Sequence, residues 1–271
     1  MRHNWRGVIA IPEFLLTFSS LFAIIAARYF VVAGLFHWLL WMRDPRRVSA
    51  LRLNEQRPAP ETVIHEIKWS VVSSALFALP GAVVIEAWKA GGTALYTDIG
   101  QFGLWYLPVS VFIYLALQDT YFYWTHRMMH HPKLFARMHR THHMSHNPSP
   151  WAAFSFHPWE SAVTAVFLPA VVFVVPLHVG AALFILMLMT VASVINHAGW
   201  EIFPASWMRG PFGRHAITAL HHNLHHGNYR VNFGLYFRFW DRIMGTDVME
   251  SAYPHLKGDG KPRPAATAPA E

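Results

Sequence analysis

Apolar residues in this chain gather into runs, and polar residues fill the intervals between them. Phe14 to Met42 is one long run, broken by Arg28 and His37 and rich in tryptophan toward its end. Trp69 to Trp88 is a second, bracketed by tryptophans and containing Pro80-Gly81. Gln101 to Trp124 is a third, polar only at its ends and at Gln118-Asp119. Ser161 to Val175 and Gly180 to Ile195 are a fourth and a fifth, both short, and Pro176-Leu177-His178-Val179 between them reads as a tight turn. A membrane-crossing helix needs ~20 apolar residues. The pattern therefore predicts an all-α, polytopic membrane helix bundle with about four to five spans, the last two forming a hairpin that barely crosses or re-enters. The first run continues far beyond the ~7–15 apolar residues of a secretory signal, so a retained helix is expected there. From Lys257 onward Gly, Pro, Ala and Thr show no periodicity. A disordered tail, 257–271, is expected after a single membrane-embedded domain, 1–256.

Composition agrees with this picture. The chain has 271 residues, 54% hydrophobic and 14% charged, against roughly 25% charged in soluble domains. The polar surface that a soluble globule of this size needs is largely missing. With no cysteine, disulfides, Cys-type zinc sites, iron–sulfur clusters and thiol nucleophiles are excluded. The net charge of +7 could serve nucleic acid or an anionic membrane surface; the hydrophobicity selects the membrane. Basic residues also suggest an orientation. Arg43, Arg46, Arg47, Arg52, Arg57 and Lys68 lie between runs one and two; Arg127, Lys133, Arg137 and Arg140 follow run three; Arg209, Arg214, Arg230, Arg238 and Arg242 follow run five. Alternation of the spans puts all three basic segments on one side, expected to be cytoplasmic.

Histidine supplies the candidate chemistry. The 19 histidines outnumber the 15 acids, and most fall between 126 and 226. His126 and His130 are spaced i, i+4. His139, His142 and His143 are spaced i, i+3, i+4, and His222, His225 and His226 repeat that spacing. On a helix these offsets place imidazoles on one face, one turn apart. Two or three rings so placed can converge on one ion at ~2 Å, and imidazole suits Fe, Zn, Cu and Ni. Eight such ligands exceed one tetrahedral zinc and suit two metal ions with positions left open.

The segment from Asp119 through Thr-Tyr-Phe-Tyr-Trp-Thr to His126-Arg-Met-Met-His130 resembles the first histidine box of the sterol desaturase/fatty acid hydroxylase family. His139-Arg-Thr-His142-His143 is similar to its second box, and His222-Asn-Leu-His225-His226 to its last. Asn228-Tyr229 and Phe239-Trp240-Asp241-Arg242-Ile-Met-Gly245-Thr246 resemble the segment that closes the family's domain. The resemblance covers about 110–247. The strings Asn196-His197-Ala-Gly-Trp-Glu and His221-His222-Asn-Leu-His225-His226 look nearest to the C-4 methylsterol oxidase branch. The resemblance implies a non-haem di-iron, O2-dependent membrane oxidoreductase that hydroxylates or desaturates a lipid. It also implies metal ligation by these boxes, with the histidine-rich helical cap on the cytoplasmic side.

Further candidates follow from the same reading. His197 stands at the end of run five and is a candidate ligand; His157, in Ser-Phe-His-Pro-Trp-Glu160, and His221 are candidates to ligate or to support a ligand. Asp119 lies two helical turns before His126, and an acid near the bilayer is a functional hypothesis by default. It is expected to accept a hydrogen bond from a ligand imidazole and fix its tautomer; the alternative is a salt bridge to Arg127 or Arg140. Asp241 and Asn196 are further supporting candidates. Electrons must come from outside, because the chain carries no dinucleotide fingerprint and no His-Pro-Gly-Gly string. A ferredoxin or a cytochrome b5-like donor is the expected partner, although the same arginines could serve lipid headgroups instead. The expectation is a lipid hydroxylase or desaturase using two iron ions and O2, with zinc able to replace iron in recombinant material. Its substrate is sterol-like or fatty acyl, or a carotenoid or aminolipid. The rival is a non-catalytic metal-handling membrane protein, which would place ionisable residues in mid-membrane rather than at one end of the runs.

Overall fold

The computed structural model describes residues 11–43, 51–54 and 56–249; the expected tail, 257–271, and the domain boundary before it lie outside them. The described chain is helical, with strands limited to two-residue pairs. Helix α1 (Ile11–His37) runs on into a π turn, Trp38–Met42, and α2 spans Pro60–Lys89. Then follow α3 (Tyr106–Met129), α4 (Pro132–Met138), α5 (Arg140–His143), α6 (Pro158–Val172) and α7 (Val179–Asn196). The short helices α8 (Ala205–Arg209), α9 (Pro211–His215), α10 (Ala219–Gly227) and α11 (Phe239–Ile243) complete the described chain.

Three helical segments are long and apolar enough to cross a membrane: Ile11–Met42, Pro60–Lys89 and Val179–Asn196. At 1.5 Å per residue the first reaches ~48 Å, well over a ~30 Å hydrocarbon core, so it must tilt or project beyond it. Their outer faces are mainly apolar, with Leu16, Val31, Leu79, Val83, Leu183 and Phe184 all exposed; Ser19 and Ser20 are exposed on the first, and exposed charges stand near the ends of the first two. Run three becomes α3, which falls outside that set because the chain stores Gln118 and Asp119 on its buried face. Run four becomes α6, shorter than the others.

Small polar side chains join the helices, as expected where apolar contacts give no preference over lipid. Ser73 Oγ and Ser161 Oγ lie 2.8 Å apart between α2 and α6. Tyr29 of α1 and Ser70 of α2 both donate to the carbonyl of Trp151. Glu66, fully buried in α2, accepts from the hydroxyl and the backbone N–H of Ser149. These bonds fasten the 145–156 segment to the membrane helices.

The expected turn at 176–179 differs in detail. Leu177–His178 is a strand (β3) that pairs in parallel with β2, Leu95–Tyr96, so the α2–α3 and α6–α7 connections are joined at the end remote from the histidine boxes. At the other end β1 (Leu51–Arg52) pairs antiparallel with β4 (Trp200–Glu201). Beside it Gly199 has φ +71°, and a Cβ there would stand 2.8 Å from Trp41 and 2.9 Å from the Asn54 amide. Gly199→Ala should therefore lower stability by about 2 kcal/mol, from backbone strain plus overpacking. Thermal unfolding of the detergent-solubilised chain would show this as a reduced Tm, with helix content unchanged at low temperature.

Candidate metal centre

Three local events bring the histidines together. Helix α3 ends with His126 in its last turn and His130 at its C-cap. The chain reverses through α4 into the one-turn helix α5; His143, with His139 just before the helix, faces back toward α3, while His142 faces His197 at the end of α7. Helix α10 presents His222, His225 and His226, and His197 caps the C-terminus of α7.

The result is two groups. His126, His130, His139, His143 and His225 form one; His142, His197, His222 and His226 form the other. Within each, one nitrogen per ring lies within 4.8 Å of the others. In the first, Nε2–Nε2 separations are 3.0 Å for His126–His139, 3.1 Å for His139–His143, 3.2 Å for His130–His143 and 3.1 Å for His130–His225. In the second they are 2.8 Å for His197–His222, 3.1 Å for His222–His226 and 3.2 Å for His142–His197. All nine residues are buried except His130, which is half-buried.

Hydrogen bonding on the far side of the rings decides what these short separations mean. His126 Nδ1 donates to the carbonyl of Phe233 at 2.9 Å, His225 Nδ1 to Val231 at 2.7 Å, His197 Nδ1 to Ser193 at 2.7 Å and His142 Nδ1 to Ser155 at 3.3 Å. A carbonyl can only accept, so each of these Nδ1 atoms carries the proton. His139 Nδ1 lies 2.8 Å from Glu160 Oε1, both groups buried. A neutral imidazole protonated at Nδ1 has a bare lone pair at Nε2. His142 and His197 thus aim two lone pairs at each other across 3.2 Å. That is not a hydrogen bond; it is repulsive unless a cation lies between. Two nitrogens at ~2.1 Å from one metal, at right angles, stand ~3.0 Å apart. The donor set thus fits two metal ions.

Protonation state agrees. Burial and the neighbouring rings hold His139, His142, His143, His222, His225 and His226 well below the ordinary imidazole range, so they are neutral donors at pH 7.

Other candidates fall elsewhere. His157 lies outside both groups; it is the N-cap of α6 and accepts from the Trp159 N–H. His221 is buried but reversed: its Nδ1 accepts from the Thr218 N–H in a capping box, so its proton is on Nε2. Asp119 does not touch an imidazole, nor does it pair with Arg127 or Arg140. Its Oδ1 accepts from the N–H groups of Leu235, Tyr236 and Phe237. Asp241 accepts from Phe233 N, Gly234 N and Thr246 Oγ1. Both acids act one step back, by holding the 231–237 loop whose carbonyls orient His126 and His225. Asn196 is buried beside His197 in the chain, with no hydrogen bond to an imidazole among the described residues. Sequence reasoning passed over Glu160, although the signal was present: a lone acid opening an apolar run, the same argument that singled out Asp119. The carbonyl partners carry no side-chain signal at all.

Half of the chain, residues 111–246, matches the model of the fatty acid hydroxylase family. The chain belongs to that family. Among its relatives, a Delta(7)-sterol 5(6)-desaturase of Gibberella zeae is 29% identical over 192 residues, 69% of this chain and 58% of the relative. The lathosterol oxidase of Homo sapiens is 29% identical over 228 residues, covering 83% and 72%. That of Mus musculus is 33% identical over 193 residues, covering 70% and 63%. The match thus spans from just over half to about seven-tenths of these proteins. Their names are those of sterol desaturases and lathosterol oxidases, not of the C-4 methylsterol oxidases toward which two motifs pointed. No solved structure matches the chain. With such relatives and three membrane-length apolar helices, this is an integral membrane protein of the fatty acid hydroxylase family.

Asp119→Ala should free three backbone N–H groups in a part-buried loop and cost about 3 kcal/mol or more. A lowered Tm, with the membrane fraction unchanged in amount, would register it; an unaltered Tm would show that the loop holds itself.

Proposed function

We propose that this protein is a non-haem di-iron oxidoreductase that uses O2 to hydroxylate or desaturate an unactivated C–H bond of a membrane lipid, with a sterol-like or fatty acyl substrate. The observation that carries the reading is the opposed Nε2 lone pairs of His142 and His197, each ring pinned by a carbonyl behind it. His126, His130, His139, His143 and His225 would hold one ion, and His142, His197, His222 and His226 the other. Iron bound there supplies the O2 activation that attack on such a C–H bond requires. The ligand count favours iron over structural zinc, which is met by four donors.

The chain's own residues do the rest. Neutral imidazoles leave more positive charge on the ions than a carboxylate-rich set would. Glu160, whose carboxyl is pushed by burial well above the usual carboxylate range, stands against His139 Nδ1 in the five-membered group only; with a cation bound there it would take up the His139 N–H and raise the basicity of that ligand. The carbonyls of Ser155, Ser193, Val231 and Phe233 keep their rings from turning. Burial keeps water from the ligands, while helices α1, α2 and α7 keep the site against the bilayer, where an apolar substrate is dissolved. The histidine face is assigned to the cytoplasm on the arginine distribution. Two electrons per turnover come from an external donor of the ferredoxin or cytochrome b5 kind.

Metal analysis of purified protein should give two irons per chain, and a deletion strain should lack an oxidised lipid. His142→Ala should abolish product, leave membrane insertion intact and reduce iron toward one per chain. Metal-loaded protein with an unchanged lipidome would overturn the enzymatic reading. Glu160→Gln should weaken iron retention against a chelator by roughly 10- to 100-fold, as loss of a ligand's outer partner does elsewhere.

A further inference from the structure

Helix α11 has two unlike faces. Inward, Asp241 is buried and holds the 231–237 loop. Outward, Phe239 and Ile243 are each 59% exposed, and Met244 beside them is 36% exposed. Nothing in the described chain covers these residues, and the catalytic reading does not use them.

Their depth is set by Trp240. Its Nε1–H donates to Thr120 Oγ1 at 3.0 Å, and its ring stacks on Tyr123 and meets Trp124 edge-on at 5.6 Å. Thr120 lies six residues before His126 on α3, ~9 Å along the axis away from the histidine groups. At that level, and on toward the N-terminus, every exposed residue of α3 is apolar: Val109, Phe112, Leu117 and Trp124, with Pro108 at the far end. Trp124 joins this lipid-type stripe to Phe239 through Trp240, whose ring centroid is 5.3 Å from that of Phe239. The charges agree. Within residues 126–249 all four carboxylates (Glu160, Glu201, Asp241 and Asp247) are turned inward or paired, while Arg242 beside Ile243, though 3.4 Å from Asp247, keeps its side chain 38% exposed. An apolar face with tryptophan at its edge, a cation and no free acid is the composition of a membrane–water interface.

We infer that α11 is a membrane-seated helix: after the histidine boxes the chain returns to the bilayer and sinks Phe239, Ile243 and Met244 into the acyl region beside α3. The occupant of this face is lipid, with anionic headgroups near Arg242. The same short helix thus joins the lipid surface, through Asp241, to the loop that orients His126 and His225. This inference does not depend on the chemistry proposed above.

The lack of cysteine makes the test direct. Single-cysteine variants of the full chain would carry a nitroxide in nanodiscs of phosphatidylcholine and phosphatidylglycerol, and electron paramagnetic resonance would compare accessibility to O2 and to a water-soluble nickel chelate. Ile243→Cys and Phe239→Cys should resemble Leu16→Cys, on the exposed face of α1, with an oxygen-to-nickel ratio several-fold above that of Ala136→Cys on the exposed side of α4. A ratio equal to that of Ala136→Cys would place α11 in water and overturn the inference. Protection from both reagents, or spin–spin broadening between chains, would show a protein partner instead and overturn it equally. Agreement between the two α11 positions guards against a local disturbance at either one.

Discussion

Bringing lone pairs together without a cation is unfavourable, and the structure is organised around enduring that. Nine imidazoles each turn one nitrogen toward one of two points. Left alone, each ring would rotate and offer its N–H to a neighbour. Four are prevented by a backbone carbonyl behind them, and His139 has the Glu160 carboxyl there. Those acceptors must themselves be held, which explains features that otherwise look unrelated. Glu66 and Ser70 fasten the segment carrying Ser155; the α7 backbone supplies Ser193; Asp119 and Asp241 fasten the loop carrying Val231 and Phe233. The ligand shell is thus anchored through α1, α2, α3 and α7 rather than resting on the short helices that bear the ligands.

The two halves of the ligand set are not equivalent. One has five imidazoles and a buried acid; the other has four imidazoles and carbonyl partners only. The four-membered group takes His197 from the end of α7, and the five-membered group takes His126 and His130 from the end of α3, so each half is tied to its own apolar helix.

Much of this was legible in the sequence, for physical reasons. Helical spacing of His126/His130, of His139/His142/His143 and of His222/His225/His226 singled out eight of the nine grouped positions, and His197 was singled out by its place at the end of run five; the division was not legible, since His142 and His225 each join the group opposite to that of their neighbours. Apolar runs of span length announce themselves in the same way. Residues acting through the backbone were not legible. Asp119 satisfies N–H groups more than a hundred positions away, and no local pattern encodes that. The orientation of His221 was hidden too, since only the cap formed with Thr218 shows which nitrogen holds its proton. Glu160 was misjudged for a different reason: His157 three residues earlier drew the attention, yet the α6 cap uses His157 locally and turns Glu160 inward.

The small parallel pair between the α2–α3 and α6–α7 connections, far from the histidines, has a consequence for biogenesis. Its second strand precedes α7, and α10 is made later still. The imidazoles of α3 and α5 are therefore synthesised before the partners on α7 and α10 that complete either group, and both groups close on helices that come earlier in the chain.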